Sequence, residues 1–217
     1  MTRRKVAEER RKEIIAGLYA CLATKGYQEV TIKDIAKAAN VSYGALHYFF
    51  ESKKDIVFAF VEDFIREEEI RFQNKLAPVE SAWERLETMV AVLAEEMILN
   101  RTTNKVFLNL HHMGCCDEDI RRCMVHCHCE YRKVIQDAVD YGISRGEFPS
   151  TDSERLAFLL VGIVEGVSLQ LSIDPDLYDD KSVKMYLFEA AQRLLVSENT
   201  VKSLSERRLQ HCTGKGG

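Results

Sequence analysis

Helix breakers are scarce in this chain, and that scarcity limits its fold more than any other feature. Eleven glycines and three prolines are spread over 217 residues. An all-β sandwich needs turn residues at intervals of about 8–12 positions, and collagen-like or low-complexity chains are richer still in these two residues. Long helices with few stops remain. With 46% of its residues hydrophobic, the chain can fill one large core or two small ones. No apolar run approaches the roughly 20 residues needed to cross a bilayer. Met1-Thr2-Arg3-Arg4-Lys5 leads into Glu8-Glu9-Arg10-Arg11-Lys12 rather than into an apolar signal region. The expectation is a soluble, cytoplasmic protein with no membrane partner.

Apolar periodicity divides the chain into successive helices. Ile14, Ile15, Leu18, Tyr19 and Leu22 recur at spacings of 3 and 4, which makes one amphipathic face, with Gly26 as the expected C-terminal stop. Thr31-Ile32-Lys33-Asp34 reads as a capping box opening a short helix that ends near Ala39. Asn40 suits the left-handed conformation of a tight turn. Ser42 then caps a third short helix through Tyr48, and Ser52-Lys53-Lys54-Asp55 starts a long one reaching about Leu76, ahead of Pro78. Further helices are expected over 81–100, 103–113 and 117–145, the last stopping at Gly146. Two more follow, over about 153–173 behind Thr151-Asp152-Ser153-Glu154 and about 180–197 after Asp174-Pro175-Asp176. From Glu198 the chain is polar and reads as a flexible tail. The domain reading is therefore 1–52, 53–197 and a tail over 198–217. The fold class is all-α.

Three short helices with a tight turn between the second and third form a helix-turn-helix, in which the second braces and the third enters the major groove. Ile32, Ile35, Ala36 and Ala39 give the bracing helix a thin apolar face, and Val41 and Leu46 can plug the junction beneath. Gly44 and Ala45 leave the third helix free to approach base edges. Charge agrees with this reading. The overall charge is −4, but residues 1–55 hold 11 Lys and Arg against 7 Asp and Glu, a net of +4, and the remainder is −8. A basic quarter on an acidic body is the asymmetry of a chain whose one module meets phosphate. Lys33, Lys37, Lys53 and Lys54 are the flanking cations. A helical hairpin with solvated lysines is the plainer alternative.

The stretch from Thr31 to Ile56, TIKDIAKAANVSYGALHYFFESKKDI, closely resembles the DNA-binding signature of tetracycline-repressor-type (TetR family) regulators. The resemblance is strong over residues 10–60; beyond that it covers helix count and the segment Gly142 to Gly166. It implies a homodimeric transcriptional repressor of about nine helices, an N-terminal helix-turn-helix domain followed by a helical ligand-binding and dimerisation domain. The chain departs from the family in having Asn40 where Gly is usual, and Tyr43, Ala45 and His47 where Lys, Thr and Tyr are frequent. The third helix thus has no Lys or Arg, so bidentate guanine readout by those side chains cannot come from it. Base contacts are expected from Tyr43, Gly44 and Ala45, and phosphate contacts from His47 and Tyr48. Lys33, Lys37 and Lys53 add salt-dependent affinity, and Thr31 and Ser42 complete the DNA-binding set. The Arg3-Arg4-Lys5 arm either reaches a minor groove or is a disordered basic terminus.

The resemblance also assigns the last two helices to the dimer interface, through Leu159, Ile163 and Gly166 on one and Leu187, Ala190, Ala191 and Leu194 on the other. Paired under twofold symmetry, they would set two reading helices roughly 34–36 Å apart. The alternative is that these stripes are only intramolecular core. An unidentified small-molecule effector would lie among Met89, Leu93, Phe107, His111, Cys127, Tyr131, Val134, Leu160 and Val164. By family analogy it would swing the helix that starts near Lys53 and misalign the reading heads.

Five of the seven cysteines fall between 115 and 129, interleaved with histidines: His111-His112-Met113-Gly114-Cys115-Cys116, then Cys123 and His126-Cys127-His128-Cys129. Structural disulfides are not expected in a cytoplasmic protein. Three readings stay open. A soft metal ion could take Cys115, Cys116, Cys123 and Cys127, given helical i, i+4 spacings, which would make the chain a metal-sensing repressor. A redox sensor would need an exposed low-pKa thiol, with Arg121, Arg122 and His126 as the positive neighbours. Cysteine as small apolar filler is the third. For catalysis there is neither a Gly-rich phosphate loop nor a His-Glu-x-x-His, so an enzyme is not expected. A helical protein–protein adaptor is the other class without DNA, and it would form no sequence-selective complex at moderate salt.

Overall fold

The computed structural model describes the backbone of residues 3–213 and the side chains of residues 5–196. Nine helices and one π-helical turn make up the regular structure of the described residues, and no strand occurs among them. The head comprises α1 (Arg3–Leu22), α2 (Ile32–Ala38) and α3 (Tyr43–Phe49). The body comprises α4 (Lys53–Leu76), α5 (Ala82–Ala94), the π-turn (Glu95–Leu99), α6 (Arg101–Gly114), α7 (Glu118–Ser144), α8 (Ser153–Ile173) and α9 (Asp180–Thr213).

Local chemistry explains the short elements of the head. Thr31 and Asp34 form the expected reciprocal box at the start of α2, and Ser52 and Asp55 form another at the start of α4. The Thr31 hydroxyl and backbone hold the Asp34 carboxylate at a pKa of about 2. Ser42 accepts the Ala45 N–H and so fixes the first turn of α3. Asn40 has φ of 53°, the left-handed turn the sequence calls for. Gly17 on α1 is where a bare backbone matters: a Cβ there would lie 2.8 Å from the Ile35 carbonyl oxygen, so α1 and α2 cross at a distance only glycine permits. Gly26, the expected stop, is not in the left-handed region; α1 ends at Leu22 and a further turn intervenes. Gly146, with φ of 72°, does terminate α7.

One continuous core runs from head to body, from Ile14, Leu18 and Leu22 through Ile35, Leu46 and Ile56 to Leu86, Phe107 and Ile120. A joint on α6 ties the halves together, and a second holds α4 to α7 just behind the head. On α6, Thr103 shares a 3.0 Å hydrogen bond with Tyr19, and Asn109 donates to the Leu22 carbonyl at 3.0 Å, satisfying the free end of α1. At the start of α4, Lys54 reaches Asp117 and Asp119 at the N-terminus of α7, each at 2.8 Å.

Three expectations need correction. The backbone of α9 continues past Ser197 to Thr213, so the polar segment from Glu198 begins inside a helix; only residues 214–217 of the expected tail lie wholly outside the described residues. The Arg3-Arg4-Lys5 arm belongs to α1 from Arg3 onward, and the side chains of Arg3 and Arg4 lie outside the described residues. Helix α8 is long and apolar enough, by length and composition, to cross a membrane. No continuous apolar run signals this, because Glu165, Ser168 and Gln170 interrupt it.

The expected dimer stripe of α9 is divided by the packing within the chain. Leu187 and Ala191 are 4% and 0% exposed, turned inward with Val183 and Leu195 as α9 packs on α5 and α8. An i, i+4 apolar row marks the buried side of a helix wherever its partner comes from, and here the partner is the same chain. Ala190 and Leu194 are half-buried, as are Ile163 and Gly166. The uncovered apolar surface of these two helices holds Leu159, from the expected set, with Phe158, Leu169 and Ile173 of α8 and Met185, Tyr186 and Val196 of α9.

Candidate nucleic-acid interface and the cavities behind it

Helix α3 presents an aromatic surface. Tyr43 is 51% exposed and Tyr48 80%, and Tyr43 meets His47 edge-on at 4.5 Å between ring centroids. Gly44 lies open, and a methyl group added to it would meet no neighbour within 4 Å. Ala45 is half-buried. Leu46, fully buried, anchors the helix from below. On α2, Lys33 and Lys37 are exposed, and neither forms an ion pair with a described residue. The Thr31 hydroxyl is committed to Asp34, donating at 2.7 Å and accepting the Asp34 N–H. The Ser42 hydroxyl accepts from Ala45 and keeps its proton for another acceptor.

The other two lysines have partners within the chain. Lys53 donates to the carbonyl oxygens of Tyr27 and Val30, both at 2.7 Å, and its ammonium lies 4.0 Å from the centre of the Tyr27 ring. Burial lowers its pKa. It pins the loop between α1 and α2 to α4. Lys54 is bound to Asp117 and Asp119, whose carboxylates raise its pKa. Sequence spacing placed both lysines beside the helix-turn-helix but could not show that carbonyls and acids distant in the chain would claim them.

Behind the head, the expected effector pocket divides at Tyr131. On one side a cavity of about 480 Å³ lies between α4 and α7, with Glu68, Phe72, Leu76, Tyr131, Val134 and Tyr141 in its wall. Glu68 is 5% exposed; burial raises its pKa against the opposing pull of Arg71. Four acids, Glu68, Glu69, Glu130 and Asp137, face two bases, Arg85 and Lys133. On the other side a small cavity of about 20 Å³ is bounded by Leu93, Phe107, His111, Cys127, Tyr131 and Val164, together with Met97, His128, Val161 and Glu165. Met89 and Leu160, both expected in the pocket, are packed core at 0% and 4% exposure and border neither cavity. The π-turn widens the helix beside this site and places Met97 where its sulfur accepts the Tyr131 hydroxyl at 3.1 Å.

The expected thiolate site does not form. Cys115 and Cys116 are exposed, Cys123 is half-buried and Cys127 buried. Among the described residues no cysteine joins a cluster of three metal-ligating groups; the group that does converge is His111, His128 and Glu165. Burial pushes the Cys123 thiol up to about 11 and that of Cys127 to about 12, which makes both poor nucleophiles. The positive neighbours required by a redox sensor are already engaged: Arg121 with Glu118, Arg122 with Asp119, and His126 with Glu62 and Glu130. Sequence reasoning missed Glu165, although it had a signal. It is the only charged residue between Arg155 and Asp174 on the most apolar helix. Burial favours its neutral form, but the hydrogen bond to His128 and the charges of both histidines outweigh this and lower its pKa. Burial first, and then the charge of His128, lowers the pKa of His111.

A basic helix-turn-helix head carried on an all-helical, cavity-bearing body defines a ligand-responsive DNA-binding transcriptional regulator. Residues 14–60 match the tetR family of bacterial regulatory proteins, and residues 79–169 match the tetracyclin repressor-like C-terminal domain. The chain belongs to the TetR family. Among its relatives is the HTH-type transcriptional regulator TtgR of Pseudomonas putida, 26% identical over 184 residues, 80% of this chain and 85% of the relative. Two solved structures share the fold. One is a transcriptional regulator from Saccharomonospora viridis in complex with choline, with TM-score 0.74, 24% identity, and coverage of 84% of this chain and 95% of that one. The other is FadR from Bacillus subtilis in complex with stearoyl-CoA, with TM-score 0.75, 18% identity, and coverage of 83% and 96%. None of these comparisons supports metal sensing through the cysteines.

Proposed function

We propose that this chain acts by binding rather than catalysis, as a cytoplasmic homodimeric repressor released from its operator by a small molecule seated between α4 and α7. The cavity there carries the proposal. Its volume, about 480 Å³, lies in the range of roughly 300–1,000 Å³ typical of small-molecule sites. One wall is the C-terminal half of α4, the helix that begins at the head. The other wall is α7, whose N-terminus holds Lys54. A molecule that separates the walls must move α4, and it relieves repression to the extent that it binds the displaced state better than the DNA-bound one. The acid excess and the aromatic faces of Phe72, Tyr131 and Tyr141 suit an apolar organic cation. The neighbours solved with choline and with stearoyl-CoA are consistent with effector binding by this fold.

For DNA, Tyr43, Gly44 and Ala45 are assigned to base edges, and His47, Tyr48, Ser42, Lys33 and Lys37 to the backbone. Thr31 and Lys53 hold the head in shape. The uncovered faces of α8 and α9 are assigned to the second copy. The test is an operator selected from random DNA, followed by anisotropy titrations with and without choline and bulkier quaternary ammonium compounds. Release by such cations in the wild type, lost in Glu68→Gln with operator affinity kept, is the expected result. No sequence-selective DNA complex at moderate salt would overturn the reading.

A further inference from the structure

We propose that His111, His128 and Glu165 form a binding site for one divalent first-row transition metal ion, held by two imidazole nitrogens and a carboxylate and independent of the cysteines. The three residues come from three helices, α6, α7 and α8. His111 Nε2 and His128 Nε2 lie 3.0 Å apart, Glu165 Oε1 lies 3.0 Å from His128 Nε2, and it is 3.9 Å from His111 Nε2. Ligand atoms bonded to one ion at about 2.0–2.2 Å are separated by about 3–4 Å depending on the bond angle, and all three separations fall there.

Without an ion, hydrogen bonds can join the three groups, but they must share a proton. Where the His128 Nε2–H donates to Glu165, the lone pair of His111 Nε2 faces the same hydrogen. Where His111 Nε2 carries a proton as well, two N–H groups oppose each other at 3.0 Å. A cation takes all three lone pairs at once. The donor set selects the class of ion: two imidazoles with one carboxylate suit zinc, cobalt, nickel or ferrous iron, whereas magnesium and calcium prefer oxygen alone and cuprous ions prefer sulfur.

The surroundings also fit an ion. The cavity of about 20 Å³ beside the three side chains has room for a single ion or water but for no organic effector. A second cavity of about 470 Å³, also bordered by His111, His128 and Glu165, supplies an entry path. Besides the two histidines, the positive charge acting on Glu165 is that of Arg132, whose guanidinium donates to the Cys129 sulfur. The site goes beyond the repressor reading, and its test involves no DNA.

Full-length protein free of any histidine tag, stripped with chelator, would be titrated with Co2+ and with Zn2+. The expected result is one Co2+ per chain with a visible ligand-field spectrum and no sulfur-to-cobalt charge-transfer band, together with a higher Tm in Zn2+. His111→Ala, His128→Ala and Glu165→Gln should each weaken binding at least about 10-fold, and the combined Cys115→Ser, Cys116→Ser, Cys123→Ser variant should bind as the wild type. The wild-type spectrum stands even where a histidine variant fails to fold, and Glu165→Gln keeps size and hydrogen-bonding capacity. A charge-transfer band, unchanged affinity in Glu165→Gln, or no saturable Co2+ binding by the wild type would each overturn the site.

Discussion

The lysines of α2 and the cations at the joints of the body are used in opposite ways, although Arg10, Arg11 and Lys25 of the head are paired. In the head, Lys33 and Lys37 stand exposed without an ion-pair partner among the described residues, while in the body Lys54, Arg71, Lys75, Lys184 and Arg145 all meet carboxylates. Free cations attract phosphate; Lys54, Arg71, Lys75 and Lys184 link one helix to another. The net charge of a segment therefore says less than the question of which of its charges are already taken. Lys53 and Lys54 mark the boundary. They are adjacent in sequence, yet one holds backbone carbonyls of the head and the other holds the acids that start α7.

The largest effect should come from removing the anchor beneath the reading helix. Leu46 is fully buried, and truncating a buried leucine to alanine costs about 2–5 kcal/mol. Leu46→Ala should lower the denaturation midpoint and abolish operator binding, since α3 has no other fully buried side chain. If stability falls but operator affinity survives, the aromatic face of α3 does not read DNA.

Lys53→Ala comes next. Two charge-assisted hydrogen bonds to Tyr27 and Val30 are lost, worth about 1–3 kcal/mol in total after solvation. Lys33→Ala and Lys37→Ala, by contrast, should leave stability within about 0.5 kcal/mol. They should weaken all DNA sequences alike and reduce the salt slope by about 0.9 for each phosphate contact removed. Chemical denaturation combined with salt-titrated binding separates the two classes. A Lys53→Ala protein of wild-type stability with a flattened salt slope would return Lys53 to the phosphate-contacting group.

Most of the head was legible in sequence, because the residues that decide it are neighbours in the chain. Thr31 with Asp34, Ser42 with Ala45 and the turn at Asn40 are all settled within a few positions, and the structure reproduces each. The body was legible only as helices. Whether Leu187 faces a partner or its own α5, and which side of Tyr131 a pocket opens on, depend on rotations that a periodic stripe does not fix. The cysteine cluster is close only in sequence. The three groups that do converge are His111, His128 and Glu165, from three separate helices, and no local spacing connects them.

The link between α4 and α7 should respond to acid. Lys54 first, and then the backbone N–H of Ile120, lowers the pKa of Asp117, while Lys54 and Arg122 lower that of Asp119, each below the ordinary 3.8. Folding thus favours the ionised carboxylates. Their contribution is fully present above about pH 4 and is lost as pH falls through the lowered values. Lys54→Met should therefore reduce Tm at pH 7, with the difference from wild type shrinking toward about pH 3. A constant difference across that range would mean that packing, not charge, joins the two helices. Because the link is solvent-exposed, the Tm change should be small, and the more sensitive readout is a weaker coupling between effector and operator.

The smallest effects belong to the residues that stood out most in sequence. Cys115, Cys116 and Cys129 are exposed, so replacing each with serine should change stability by less than about 0.5 kcal/mol. Cys127→Ser differs, because that side chain is 1% exposed and a buried hydroxyl needs a partner the thiol did not. A disulfide-forming chromophore added to native protein should titrate these exposed thiols quickly, the half-buried Cys123 more slowly and the buried Cys127 only on unfolding, since burial raises the pKa of both. Rapid labelling of Cys127 in the native protein would show that α7 opens on that side of Tyr131. The small cavity would then be the more mobile of the two, and the α4–α7 cavity would lose its claim to be the one that moves.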